Sequence, residues 1–209
     1  MMKTLNYVTM IALMFFALQS CNNSRKGTTQ KADSSNKNNT SYYQNYKSFN
    51  KRRDTNGVAS LPTLKVDSAD AEFAMAAVGE NLADIYLSVI ALQITKDVKI
   101  KGFADSLITG HMKLNDQLSA IAGTKNIRIP SYVSPERQKN AVTIAKKTGK
   151  EFDRAYLNEI GRGIQKSAKL YQSAAVNVKD SQLKEYASKA TIFIKKYPNL
   201  INKINSGLN

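Results

Sequence analysis

The sequence predicts an all-α protein, a four-helix bundle preceded by a disordered tether. Three observations lead there. Past Pro62, apolar residues recur three or four apart in long runs, and no alternating strand pattern competes with them. Short turns separate the first run from the second and the third from the fourth, whereas Thr124 to Gly149 forms a long middle connection. From Asn22 to about Lys65 the chain is rich in Asn, Ser, Thr and Lys with few aliphatics, a composition too polar to build a core.

The first element is a leader. Lys3 supplies a positive start, and Val8 to Leu18 form an uncharged apolar run suited to a signal peptide and too short to span a bilayer. It ends in Leu18-Gln19-Ser20-Cys21, which resembles a bacterial lipobox: a small residue before the cut and a thiol that takes diacylglycerol. Cys21 is the chain's single cysteine, so no internal disulfide can form. The expected division is residues 1–20 as lipoprotein signal peptide, 21–66 as lipidated cysteine and basic tether, and 67–209 as the bundle. Asn22 stands where an inner-membrane retention signal would resemble Asp, which favours the outer membrane. No later stretch is expected to have the length of a membrane span, so the protein should be anchored rather than spanning.

The tether, residues 22–66, carries nine Lys/Arg against two Asp, and residues 67–209 carry twenty-one against fourteen acids. Each part is therefore +7, and the tether is about three times as charge-dense. As a coil it would reach roughly 35–40 Å. Tyr42, Tyr43, Tyr46 and Phe49, followed by Lys51, Arg52 and Arg53, could form a small docking element at helical spacing. The chief expectation for this segment is a solvated tether, with the membrane and anionic envelope components as partners and no nucleic acid.

The first helix is expected over Ser68 to Ile94, capped by Asp67 or Ser68, with Asp70 and Glu72 in its first turn. The second should run from Asp97 to Ala122, its stripe formed by Ile100, Phe103, Leu107, His111, Leu114, Leu118 and Ile121, with Gly123 as its stop. Ser134-Pro135-Glu136 opens a short helix inside the crossover. The third long helix covers about Lys150 to Val176. The fourth covers Ser181 to Ile204, capped by Asp180 and kinked or broken at Pro198. Two hairpins joined by one long connection is the ferritin-like order of helices. Glu72-Phe73 and Glu151-Phe152 open the two hairpins alike.

Asp70-x-x-Phe73-x-x-Ala76-Ala77, His111 with Leu118 and Ala122, Phe152-Asp153-Arg154-Ala155-Tyr156-Leu157 and Pro198-x-Leu200 together resemble the ferritin-like "domain of unknown function 4142" family. Its members are often labelled outer-membrane proteins. The resemblance covers about residues 67–206 and implies an exported helical bundle, with no activity to carry over. By the same resemblance, Asp84 stands for a glutamate and His111 matches a histidine. Gly110 replaces the acid before that histidine. A third-helix histidine falls on Ile164 and the acid before it on Gly163, and a fourth-helix histidine falls on Lys203.

A ferritin-like di-metal centre needs glutamates on two helices and Glu-x-x-His on the other two. The residue three before His111 is Ile108, and His111 is the only histidine. Glu80, Asp84 and His111 are therefore weak metal candidates, and an Asp84–His111 contact inside the bundle is expected as a buried pair that fixes register. A lysine at 203 would repel a cation. No catalytic residues and no cofactor are expected, since one imidazole without a free thiol supports neither a Cys–His pair nor a triad. Lys146, Lys147, Lys150, Lys195 and Lys196 read as solvated faces, Tyr156, Tyr171 and Tyr186 as core packing, and Asp153 with Tyr156 as local bracing of the third helix. The sequence thus points to a non-enzymatic binding or structural envelope lipoprotein. The alternative is a ferritin-like metal-binding or redox protein with an eroded site.

Overall fold

Asp67 opens the first helix: its carboxylate accepts from Ala69 N at 3.0 Å and caps α1, Ser68–Ile94. The computed structural model describes residues 66–208 of the 209-residue chain. Cys21 and the segments expected as leader and tether lie outside the described residues, Val66 excepted.

After the three-residue turn Thr95–Asp97, Asp97 caps α2, Val98–Thr124, by accepting from Lys99 N and Ile100 N. Gly123 does not stop this helix. It stays helical, and the left-handed residue is Asn126 at φ 55°, which turns the chain so that Ile127 N donates to Ala122 O at 3.0 Å. Asparagine tolerates that conformation, and the bond satisfies a carbonyl that the helix end leaves open. Ser134 caps the crossover helix α3, Pro135–Ala145, as its Ser-Pro-Glu signal predicts.

α4 covers Gly149–Asn177, and Asp180 caps α5, Ser181–Ile194. α6 follows at Tyr197–Asn205. The expected fourth helix is thus two pieces, not one kinked rod. Pro198 has no N–H for the carbonyl of Ile194 and is tolerated only in a first helical turn, where α6 puts it. Among the described residues there are no strands.

α1 packs against α2, α3 and α4, while α4 packs against α5 and α6, and α5 and α6 close back on α2. Antiparallel pairs α1/α2 and α4/α5–α6, joined through α3, give the hairpin–crossover–hairpin order. The core is rich in aromatics: Phe73 meets Tyr171 edge-on at 6.2 Å, and Phe103 meets Tyr156 and Tyr197 in the same way. Tyr156, Tyr171 and Tyr186 are core residues, as their spacing predicts.

One expectation needs correcting. α1 is 27 residues long and apolar enough, by length and composition, to cross a bilayer. Its apolarity has another cause here: three neighbouring helices cover it, and 67% of its most apolar window is buried within the bundle.

Asp70 locks the second hairpin to the first. Its carboxylate accepts from Lys179 N at 2.7 Å and from Asp180 N at 3.2 Å, in the turn between α4 and α5. The first-turn acid of α1 therefore holds a loop more than a hundred residues away.

Candidate functional site

Three polar residues interrupt the apolar inner face of α1 at helical spacing: Asn81, Asp84 and Ser88. Each meets a polar residue from α2 or α4. Asn81 donates to Asn115 Oδ1 at 2.9 Å, and its own Oδ1 accepts from the Tyr171 hydroxyl at 2.9 Å. Ser88 shares a hydrogen bond with the Tyr156 hydroxyl at 3.0 Å. Between these two hydrogen-bonded levels lie Asp84 and His111, with Nδ1 3.8 Å from Oδ2.

The sequence picks out this middle pair and the structure brings it together. The levels on either side were missed, although the pattern marks them. Asn81 and Ser88 flank Asp84 by three and four residues, and Asn115 follows His111 by four. Asp153 does not brace Tyr156: that hydroxyl turns to Ser88, and Asp153 is buried with Oδ1 lacking a hydrogen bond among the described residues.

The middle pair is sealed. His111 is 0% exposed and Asp84 5%. Phe193 and Tyr197 face the imidazole at 6.4 Å and 6.0 Å between ring centres. At 3.8 Å the pair falls short of a hydrogen bond, and Asp84 Oδ2, both His111 nitrogens and the Tyr197 hydroxyl have no hydrogen-bond partner among the described residues. Burial pushes the Asp84 carboxyl well above its ordinary range, with repulsion from Glu80 adding to it. Burial also pushes His111 down to about 3, helped by the charge of Lys196, so the imidazole is neutral at physiological pH.

Two glycines make room for this arrangement. A Cβ on Gly163 would stand 2.6 Å from Asp84 Oδ1. A Cβ on Gly110 would stand 2.2 Å from Phe193 Cζ and 3.0 Å from the Tyr197 hydroxyl. These are the positions where the resemblance implies acids. In this chain the carboxylate and rings of other helices fill the space instead. Ile164 is buried beside Gly163. Lys203 needs a different account from the expected one: it is an exposed residue of α6, and the lysine whose charge reaches His111 is Lys196, which lies over Phe193 at 4.5 Å.

Glu80 takes no part in the pair. It is bound by Arg137 from α3 and by Lys166 from α4 at 2.6 Å. Arg137 also reaches Glu159 at 3.1 Å, and Arg162 closes on Glu159 from the outside. The guanidinium thus bridges a carboxylate of α1 and one of α4. Among the described residues no three His, Cys, Asp or Glu side chains assemble around a common point. The donor set therefore does not fit a di-metal centre. Neither Arg137 nor Glu159 was foreseen, because the partner arrives from the crossover, whose docking no periodicity reveals.

At the end of the bundle where α1 begins, a cleft of about 370 Å³ lies between Val66, Asp70, Ile127 and the turn Lys179–Asp180. Its charges are paired with one another: Lys125 with Asp180 and Lys179 with Asp67, both at 2.5 Å.

The fold and its buried polar levels define an all-α bundle with a closed interior. The chain matches the family described as domain of unknown function DUF4142 over residues 57–199, and it belongs to that family. Among solved structures it is similar to the crystal structure of a DUF305 fragment from Deinococcus radiodurans. The TM-score is 0.57 at 11% identity, over 68% of this chain and 97% of that one, a likeness of fold alone. A search of curated proteins found no match.

Proposed function

We propose that this is a lipoprotein of the outer membrane whose bundle serves as a non-enzymatic binding or structural module of the cell envelope. The observation that carries the non-enzymatic part is the closure of His111. A general acid or base must reach the substrate proton directly or through one water, and this imidazole is walled in by Asp84, Phe193 and Tyr197. The buried glutamates, Glu80 and Glu159, are held by Arg137, Lys166 and Arg162. The anchoring part rests on Leu18-Gln19-Ser20-Cys21. Two acyl signals hold a protein durably where one alone is marginal.

The test is Cys21→Ser with labelled fatty acid and membrane fractionation. The variant should lose the label and leave the outer-membrane fraction. Label retained on the variant, or unchanged partition, overturns the anchor.

A second reading, a metal-binding or redox protein with an eroded centre, is favoured by one observation: Asp84 Oδ2 and both His111 nitrogens have no hydrogen-bond partner among the described residues. Metal analysis of protein purified without chelator decides between the two. Near-stoichiometric iron, manganese or zinc that vanishes in His111→Asn would put the second reading first.

A further inference from the structure

The net charge of the bundle is not spread over it. The end remote from the tether is built from the α1–α2 turn with the first turn of α2 (residues 95–101), the entry into α4 (146–154) and the close of α6 (203–208). Together these hold eight Lys/Arg against three acids. The end where the tether joins (66–72, 122–128 and 176–184) holds four of each. Contacts confirm that the three remote segments meet: Lys99 Nζ lies 3.6 Å from where a Cβ of Gly207 would be, and Arg154 donates to Leu208 O at 3.4 Å.

The three acids of the remote end do little to offset it. Asp97 is engaged in capping α2, Asp153 is buried, and Glu151 is paired with Lys147. Lys96, Lys99, Lys101, Lys146, Lys150 and Lys203 are exposed, without an ion pair among the described residues.

We infer that this remote end is a docking face for an anionic lipid surface. The inference deepens the reading of a binding module and rests on it. It does not need the lipid anchor. Two features favour lipid over a folded acidic partner or a discrete phosphate. Seven of the eight cations are lysine, a point charge suited to a diffuse field, where arginine would serve bidentate recognition. The first residue of α2, Val98, stands 79% exposed among Lys96, Lys99 and Lys101, an apolar tip within a cationic ring. Neighbouring cations within a Debye length of a charged bilayer add their attractions.

The test uses the full mature chain with Cys21→Ser, so that no acyl chain contributes, on vesicles of phosphatidylglycerol with phosphatidylethanolamine. Two triple variants share one net charge and keep the basic tether. One removes Lys99, Lys150 and Lys203 as Gln at the remote end, and the other removes Lys113, Lys169 and Lys189 as Gln along the sides. The remote-end triple should weaken vesicle partition by at least about tenfold, and the side triple by less than about twofold. Equal losses would assign binding to overall charge or the tether, and no loss or no binding would remove the face altogether. Binding of soluble polyglutamate as tightly as vesicles, with the same dependence on the remote-end lysines, would overturn lipid as the partner. The lipid anchor is judged separately, by fractionation of the native Cys21 protein, so either idea can fail alone.

Discussion

Gly163 faces Asp84 so closely that a Cβ on the glycine would come within 2.6 Å of Oδ1, 3.3 Å of Cγ and 3.4 Å of Oδ2. The whole carboxylate occupies the space a side chain on α4 would need, and swinging one oxygen aside does not free it. In the middle of a helix glycine costs about 1 kcal/mol relative to alanine, and here the contact with Asp84 offsets that cost.

The sign of one substitution should therefore depend on the other residue. Gly163→Ala alone should destabilise, because overpacking costs about 1–3 kcal/mol and outweighs the helix-propensity gain. In an Asp84→Ala background the obstacle is gone, and Gly163→Ala should stabilise by up to about 1 kcal/mol. A double-mutant cycle by denaturant unfolding reads this directly. Additive effects would mean that the two residues do not share the space.

The same pair sets an acid response. His111 is held at about 3 in the fold against an ordinary 6.5, so the unfolded chain takes its proton first. Stability from this group is complete above pH 6.5 and is lost as the pH falls towards 3. Asp84 works in the opposite direction. Its folded carboxyl binds a proton more readily than the unfolded one, so it adds stability as the pH falls through its raised value towards 3.8. Asp84→Asn should leave His111 unopposed and lose about 2–3 kcal/mol between pH 6.5 and 4.5. His111→Asn should cost about 1–3 kcal/mol at pH 7 and show the smallest acid loss of the three proteins. Unfolding at the two pH values checks it, and identical slopes in all three would exclude the pair as the origin.

How much of this was readable beforehand follows from the kind of signal involved. Helix positions were legible because caps and periodicity are local: Asp67, Ser134 and Asp180 cap where the sequence places them, and Asp97, expected as the first residue of α2, stands one place before it as its cap. The Asp84–His111 pairing was legible because each polar residue breaks an apolar stripe. The end of α2 was misjudged because Gly123 competes with Asn126 for the left-handed position, and the next bond, from Ile127, decides it. The break in the fourth helix was legible because Pro198 cannot continue a helix, and α6 takes it in its first turn. The Arg137 bridge and the charged remote end depend on which segments meet in space, and spacing within one helix carries no trace of that.

Asp70 offers a local check on the joint between hairpins. Asp70→Ala removes the acceptor for Lys179 N and Asp180 N, and should cost about 1–2 kcal/mol. The loss should be localised: amide exchange at 179 and 180 should quicken well before that of the α4 core. Uniform acceleration across the bundle would show that the contact is not a separable joint.

Arg137 gives the most discriminating test of how the carboxylates of this bundle are neutralised. Its guanidinium serves Glu80 of α1 and Glu159 of α4 together, and both glutamate side chains are only 10% exposed. Removing it leaves two shielded negative charges facing one space. Breaking a fully buried pair costs about 3–5 kcal/mol. Arg137 is itself a quarter exposed, and Lys166 and Arg162 remain outside, so screening reduces the expected cost of Arg137→Ala to about 2–3 kcal/mol. Arg137→Lys should fall between, since one ammonium cannot hold both carboxylates as a planar fork does. Glu80→Gln added to Arg137→Ala should recover part of the loss by removing the repulsion. The vacated space should also acquire affinity for a divalent cation: manganese in the millimolar range should raise the melting temperature of Arg137→Ala, and not that of the wild type. Arg137→Ala melting like the wild type would dismiss the bridge as a surface contact, while an equal manganese shift in both proteins would place cation binding somewhere other than these two glutamates.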